Sequence, residues 1–358
     1  MLNKLKNIAK DLLAIAWIRR IYEFVNRAFL ESFGSSRILA HLYYTLSFIT
    51  FNREQSAVLR GRRNYYRNKN RDRLTHVELR RNVHRLEKGL IMRPRRQIFA
   101  RDYVGETIEF YEQAIEQWGR GVEPMERSEM EWAHDVLSEY FATVGEGDAL
   151  VDDARRRFAA LEHPTTFTGK VPYIKKQLSS IAYDDLEDLV MQRRSVRWFD
   201  DERPVEREKL DQAFNIARQA PTACNRLPYE FRVFDDPALV REVATIPFGS
   251  AGYAHNIPTI VVVVGKLESY FSPRDRHAIY VDGSLAAMSF MLGLETLGLS
   301  SSVINWPDFE PLERKMQKQL DLDVTERVVM LIAVGYAHPE GMVPYSQKKE
   351  LDTFRRYN

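Results

Sequence analysis

Five consecutive aliphatic residues, Ile260-Val261-Val262-Val263-Val264, constrain this chain more than any other stretch. A strand with one wet face alternates polar and apolar side chains, so an unbroken β-branched run predicts a strand over 257–265 that is covered on both faces. Such a strand belongs inside a sheet, with other elements packed above and below it. A second run, Val328-Val329-Met330-Leu331-Ile332-Ala333-Val334, predicts a strand over 327–336, and shorter strands are expected over 231–234 and 299–304. Between them lie helical patterns over 184–194, 204–219 and 279–297. Asp184, Asp185, Glu187 and Asp188 sit early in the first, where carboxylates complement the helix dipole, and Gly298 stops the third. Strands alternating with helices predict a layered α/β or α+β domain with a central mixed sheet flanked by helices.

The first half carries helix periodicity instead. Tyr103, Ile108, Tyr111, Ala114, Ile115 and Trp118 form one pattern, Met130, Ala133, Val136, Leu137, Tyr140 and Phe141 another, and Gly119, Gly121 and Pro124 separate them. Upstream, Val83, Leu86 and Leu90 suit one helix face, with Gly89 near its end. His84 and Lys88 lie one turn apart there; they suit a phosphate or carboxylate ligand as well as a helix-end salt-bridge cluster. A polar stretch with Gly169 and two prolines, over 164–172, reads as a connection. With 358 residues, two units are natural: a basic, mostly helical module over 1–163, a linker over 164–183, and a sheet-bearing domain over 184–358.

Charge is segregated. The first 100 residues hold 22 basic against 7 acidic side chains, the remainder 30 against 43, although the net charge is only +2. A basic segment of this kind suits an anionic membrane surface, a nucleic acid or an acidic face of the protein itself. Leu5, Ile8, Leu12, Leu13, Ile18, Ile21 and Val25 recur at helical spacing among lysines and arginines, so residues 1–30 suit either peripheral contact with anionic lipid or packing on protein. They do not read as a signal peptide. The apolar run over 38–51 is too short to span a bilayer and reads as a buried or interfacial helix. Residues 60–81 interleave arginine with Tyr65, Tyr66 and asparagines, yet no nucleic-acid motif accompanies them; a solvated basic linker is expected, and no nucleic-acid partner. The single cysteine, Cys224, excludes an internal disulfide framework, and the expected compartment is the cytoplasm, with peripheral attachment to the inner face of the membrane as an option.

The chemistry concentrates at Arg193-Arg194-Ser195-Val196-Arg197-Trp198-Phe199. Three guanidinium forks and a hydroxyl within five residues make an anion receptor suited to phosphate. Neither a dinucleotide fingerprint nor a Walker loop is present, the histidines show no metal-ligand spacing, and no nucleophile elbow occurs, so no metal is expected.

From about residue 186 onward the chain resembles the flavin-dependent nitroreductase family. The resemblance rests on five landmarks in order: Arg-Arg-Ser-x-Arg-x-Phe, then Ala220-Pro221-Thr222-Ala223-Cys224-Asn225-Arg226-Leu227-Pro228, the valine-rich strand, a helix leading into Leu297-Gly298-Leu299, and a closing strand with Val334-Gly335-Tyr336. It implies a nitroreductase-like three-layer α+β fold and FMN bound non-covalently at the interface of a homodimer. By that resemblance Arg193, Arg194, Ser195 and Arg197 hold the phosphate and part of the flavin edge. Pro221, Thr222, Ala223 and Asn225 reach the ribityl chain and ring from the partner chain, and Asp282 lies near the ribityl or ring. Ile304, Asn305 and Trp306 pass the reactive N5 side, and Lys348 and Lys349 return to the phosphate. Trp306, Leu227 and Tyr229 suit apolar cover for the ring, and Cys224 a small filler.

The implied activity is oxidoreduction: NAD(P)H reduces the flavin, and an organic small molecule then reoxidises it in a ping-pong cycle, with no protein residue serving as catalytic acid or base. Two departures from the family pattern open alternatives. Asn305 stands where many members carry a glutamate. The long helical module, with His84-Arg85-Leu86-Glu87-Lys88-Gly89-Leu90, resembles the extension of nitroreductase-like proteins that accompany surface-polysaccharide biosynthesis. These suit dehydrogenation or reductive modification of a biosynthetic intermediate, or a non-catalytic flavin-fold scaffold at a membrane or in a complex.

Overall fold

The computed structural model describes residues 15–46, 51–68, 76–120 and 125–357. By packing, the chain divides into two units. One is Met1–Ser56 with Asp308–Pro311, and the other is Ala57–Pro307 with Leu312–Asn358.

Within the smaller unit, α1 (Ala16–Gly34) and α2 (Arg37–Leu46) pack side by side. Neither helix buries a single residue. On α1 the apolar side chains Trp17, Ile21, Phe24, Val25 and Phe29 occupy one half of the helix and stay exposed, while Arg19, Arg20, Glu23 and Arg27 occupy the other. Of the buried or interfacial helix expected over 38–51, the buried alternative fails: the helix over Arg37–Leu46 is exposed, with Ile38 82% accessible, and 47–50 lie outside the described residues, as do 1–14.

Helix α3 (Asn52–Asn68), which falls in the larger unit from Ala57 onward, stands where a solvated linker was expected over 60–81, and residues 69–75 lie outside the described residues. The arginine-rich composition misled because its few small and aromatic residues share a face. Ala57 and Tyr65 are buried, the Cα of Gly61 lies so close to Leu267 that a Cβ would sit 2.9 Å from the leucine side chain, and Arg62 Nε donates to the Phe271 carbonyl at 3.0 Å.

Next come α4 (Val77–Ile91), α5 (Val104–Arg120), α6 (Arg127–Thr143) and α7 (Ala149–Ala159). The predicted stripes form one core, in which Val83, Leu86 and Leu90 meet Ile108, Tyr111, Met130, Leu137 and Tyr140. Asp148 caps α7 by accepting from the Leu150 and Val151 amides. The buried carboxylate of Asp135 captures the chain after α7: it accepts from the Thr168 amide and hydroxyl and, at 2.7 Å, from the Lys170 amide.

Then follow α8 (Tyr183–Gln192), α9 (Arg207–Ala217), β1 (Tyr229–Phe234), α10 (Pro237–Ala244), β2 (Thr259–Lys266), α11 (Ala278–Thr296), β3 (Ser300–Asn305), α12 (Glu310–Leu320), β4 (Glu326–Gly335) and the short α13 (Leu351–Phe354). The strands order as β1-β2-β4-β3, and all three pairings are antiparallel. Parallel pairing enters at the Ser195↔Ser301 bridge, which gives the sheet its mixed character. The valine run occupies β2, an interior strand, as its pattern demands. Val261 and Val263 pack against Leu210 and Ala213 of α9 and Phe290 and Leu294 of α11; the alternate residues Ile260, Val262 and Val264 are equally buried on the opposite face. The fold is α+β, with the helical segments preceding the sheet-bearing part in the chain.

Among the described residues α11 alone is long and apolar enough to cross a membrane. Half of it is buried inside the fold, as befits a core helix. The helices α10 and α12 had no counterpart in the sequence reading, being short and flanked by polar turns.

Candidate functional site

The arginine motif runs as an extended segment along the open edge of the sheet. The Val196 amide donates to the Ser301 carbonyl at 3.1 Å, and Ser195 bridges Ser301 in parallel. Three residues on, Asn256 brackets Phe199, accepting from its amide at 2.5 Å and donating to its carbonyl at 2.9 Å. Phe199 is fully buried against Gly335, Asp200 N donates to the Tyr336 carbonyl, and Trp198 stacks on His338 at 4.4 Å. Backbone pairing and an anchored phenylalanine thus fix the segment that carries these charged side chains.

Among the described residues none of Arg193, Arg194 and Arg197 makes an ion pair with a carboxylate. Arg193 has a buried Nε without a partner and acts on Glu295 only from a distance, opposing the upward push that burial gives that carboxyl. Arg194 donates to the carbonyls of Pro344 and Tyr345, tying the motif to the chain leading to Lys348 and Lys349, which are exposed. Arg197 is exposed and lies 5.9 Å from the Tyr253 ring. Two hydroxyls on the same strand edge, of Ser301 and Ser302, are buried and unpartnered.

A second group gathers at the amino-terminal end of α11. The Asp282 carboxylate is 4% exposed, and its Oδ2 accepts from the Ala223 amide at 2.9 Å and the Tyr270 hydroxyl at 3.2 Å. Burial pushes the Asp282 carboxyl upward; the Ala223 amide, Tyr270 and the Arg226 cation pull against that. Thr222 contributes its hydroxyl to the Leu227 amide at 3.2 Å. Pro221 is exposed, and Ala223, Cys224 and Asn225 are half-buried. Tyr229 follows with a buried hydroxyl that lacks a partner and a pKa pushed by burial to about 12.

The third group closes β3. Ile304 is buried, Asn305 is exposed, and Trp306 is buried with its indole N–H donating to Glu313 at 2.5 Å. Glu313 also lies 3.8 Å from the guanidinium of the buried Arg327.

The structure therefore brings Ser195 beside β3, and Ala223 beside Asp282. Among the described residues no hydrogen bond or ion pair joins the 193–197 group to the 221–225 group within one chain. Sequence reasoning missed four supports of these groups: Asn256, Tyr270, Glu313 and Arg80. Asn256 and Arg80 act across 57 and 145 residues of sequence, and Tyr270 and Glu313 through contacts that only the folded chain makes, so no local signal marks them.

A model described as the nitroreductase family matches residues 190–254 and 246–336. Residues 190–336, about two fifths of the chain, are thus similar to that family. The match takes in the arginine motif, the 221–225 turn, Asp282 and the end of β3, while the helical module lies outside it. Among curated proteins, the chain is similar to the CLA biosynthesis enone reductase of Lactiplantibacillus plantarum. The two are 29% identical over 119 residues, 31% of this chain and 52% of that protein, so the chain spans about half of that relative's length. It is also similar to the NAD(P)H nitroreductase candidate YdgI of Bacillus subtilis (strain 168), with 23% identity over 201 residues, 46% of this chain and 94% of YdgI. Among solved structures, an FMN-dependent nitroreductase from Clostridium difficile R20291 aligns at 24% identity over 44% of this chain and 91% of its own, with a TM-score of 0.39.

Proposed function

We propose that this chain is an FMN-dependent NAD(P)H oxidoreductase that works as a homodimer and acts on a small organic acceptor. The carrying observation is the set of three arginines, free of carboxylate partners among the described residues, on a strand edge that also carries the half-buried Ser195. Such a cluster repels itself unless an anion occupies it, and charge-assisted bonds to a near-dianionic phosphate are of the strong kind. The residues present therefore fit the phosphate end of FMN.

FMN, when bound, supplies two-electron chemistry, accepting hydride from NAD(P)H and passing it to the acceptor in separate half-reactions. The chain's own task is to bind and orient. Arg193, Arg194, Ser195 and Arg197, with Lys348 and Lys349 beyond them, would hold the phosphate. Pro221, Thr222, Ala223 and Asn225 would face the cofactor of the second copy, in keeping with their separation from the arginines within one chain. Asp282 fixes the Ala223 amide and so sets where that turn lies. Trp306, its indole locked on Glu313, would shield the reactive side from water alongside Ile304, and Asn305 would meet the acceptor. No residue is assigned as a proton donor or base. The enone reductase relative is consistent with an organic acceptor, though it shares only half its length with this chain.

The test is spectroscopic. The purified protein, reconstituted with FMN, should show bound flavin absorbance that bleaches on anaerobic addition of NADH or NADPH and returns with an organic acceptor. A protein that retains no flavin overturns the reading. One that binds flavin without bleaching favours dehydrogenation or reductive modification of a biosynthetic intermediate instead.

A second reading concerns location. The fully exposed apolar half of α1, opposite Arg19, Arg20 and Arg27, suits peripheral contact with anionic lipid at the inner face of the membrane. Liposome flotation with and without residues 1–30 decides it: equal behaviour of both chains on anionic vesicles removes the idea.

A further inference from the structure

The turn over 222–227 adopts a backbone that its own residues disfavour. Cys224, Asn225 and Leu227 have φ of 57°, 52° and 47°, and none is glycine. Residues in this region persist where surrounding structure over-determines them. Part of that structure is Asp282, described above, and part comes from the helical module outside the family match.

Arg80, on α4, donates from Nε to the Asn225 carbonyl at 3.0 Å, across 145 residues of sequence. Its guanidinium is held in turn by an ion pair with Glu129 and lies 5.7 Å from the Trp132 ring, both on α6. Trp132 is itself fixed, its indole N–H donating to Glu87 at 3.0 Å. The Arg80 side chain is only 13% exposed, so the bond is shielded from competing water. From α3, Ala57 and Val58 pack in one cluster with Ala223, Tyr270 and Ile279. The module thus grips both ends of the Ala223–Asn225 turn, by a charged hydrogen bond at one and apolar packing at the other.

We propose that the amino-terminal helical module is a built-in clamp on the 222–227 turn, with Arg80 as its positioning residue. The proposal rests on the flavin reading in one respect, that this turn contacts the cofactor. The clamp gives the extra module a role in cofactor binding: it prepays the ordering of a strained turn, so the free chain already presents the conformation the cofactor needs. A guanidinium suits the task because it can serve a carbonyl, a carboxylate and an aromatic face at once, which a lysine does less well.

The experiment uses the full chain in two arms. In the flavin-free protein, hydrogen–deuterium exchange is followed in peptides covering 221–228 and in strand peptides covering 328–334. Arg80→Gln should speed exchange of the turn at least tenfold while the strand stays as in wild type. Arg80→Lys should restore part of the protection. Glu129→Gln, which leaves Arg80 in place but releases its guanidinium, should give an intermediate effect and covers the case in which Arg80→Gln loosens the whole fold. In the second arm, FMN titration followed by fluorescence should give a dissociation constant about tenfold weaker for Arg80→Gln, equivalent to about 1.4 kcal/mol. Wild-type exchange of the turn in both Arg80→Gln and Glu129→Gln overturns the clamp. A wild-type chain that binds no FMN refutes the cofactor reading alone, and the exchange arm still decides the clamp.

Discussion

Removing the Asp282 carboxylate should destabilise the protein by an amount the geometry fixes closely. One oxygen, Oδ2, receives both the Ala223 amide at 2.9 Å and the Tyr270 hydroxyl at 3.2 Å, and the residue is 4% exposed. Asp282→Ala leaves both donors buried without an acceptor. An orphaned buried donor costs about 1–3 kcal/mol, so the pair should cost about 3 kcal/mol. Asp282→Asn is different, because a single amide oxygen can take over the position of Oδ2 and accept both bonds. It keeps an acceptor for both donors and should cost under about 1.5 kcal/mol.

The pH dependence carries a sign. Burial raises the Asp282 carboxyl in the folded state, so folding favours its protonated form. Its ionisation therefore erodes stability as pH rises above the usual carboxylate range of about 4, and Asp282→Asn lacks that erosion. Urea unfolding midpoints at pH 5 and pH 8 measure both effects. The Ala variant should lose far more than the Asn variant, and the gap between wild type and Asn should narrow at the higher pH. Equal losses in Ala and Asn would refute the view that one shared acceptor oxygen holds this turn.

Three further outcomes follow from the same contacts. Asn256→Ala removes both hydrogen bonds that bracket Phe199 and should cost about 2 kcal/mol by urea unfolding, with weaker FMN retention because the arginine segment loses its anchor; retention equal to wild type would detach that segment from the cofactor. A Cβ at Gly335 would lie 2.6 Å from Pro258 and 2.7 Å from the Phe199 ring, so Gly335→Ala should destabilise by about 1–3 kcal/mol through overpacking and shift the near-ultraviolet circular dichroism of the aromatic residues. His76, buried and held by that burial at a pKa of about 4 against 6.5 unfolded, stays neutral when folded; the unfolded chain takes up a proton as pH falls below 6.5, so about 2 kcal/mol of stability should be lost between pH 7 and pH 5. His76→Asn, which tolerates the left-handed backbone at φ 50°, should flatten that loss in urea titrations.

The legible parts of the sequence were those in which one physical demand acts locally. An all-valine stretch cannot sit on a wet edge, so β2 could be placed as an interior strand from composition alone. Gly298, with φ of +74°, stops α11 where expected because the helix end needs a left-handed residue. The arginine motif could be singled out for the same reason: its charged side chains lie within five residues. What supports the three candidate groups was not legible. Asn256 reaches Phe199 across 57 residues, Glu313 holds Trp306 from α12, and Arg80 reaches Asn225 across 145. None of these side chains differs in type or spacing from an ordinary surface residue; only the fold gives each one its partner.

The same distinction explains why the basic first hundred residues pointed in several directions. As a composition, 22 cations against 7 anions suits lipid, nucleic acid or protein equally. In the folded chain many of these cations have internal work that composition does not reveal. Arg62 donates to the Phe271 carbonyl, Arg80 to the Asn225 carbonyl and Arg95 to the Leu90 carbonyl, while Arg85 stacks 3.5 Å above the Tyr103 ring. Neutral acceptors and aromatic faces satisfy a guanidinium without cancelling its charge. A segment can therefore be strongly basic in sequence because it is tied down through backbone carbonyls and rings, with no external anion required. In α1 the arginines are exposed and stand opposite an uncovered apolar half, and Arg19 pairs with Glu23 on the same helix face. The basic excess thus divides near Ser56: after it, several arginines are tied to backbone carbonyls and aromatic rings of the fold, and before it, the arginines of α1 form one face of an amphipathic helix.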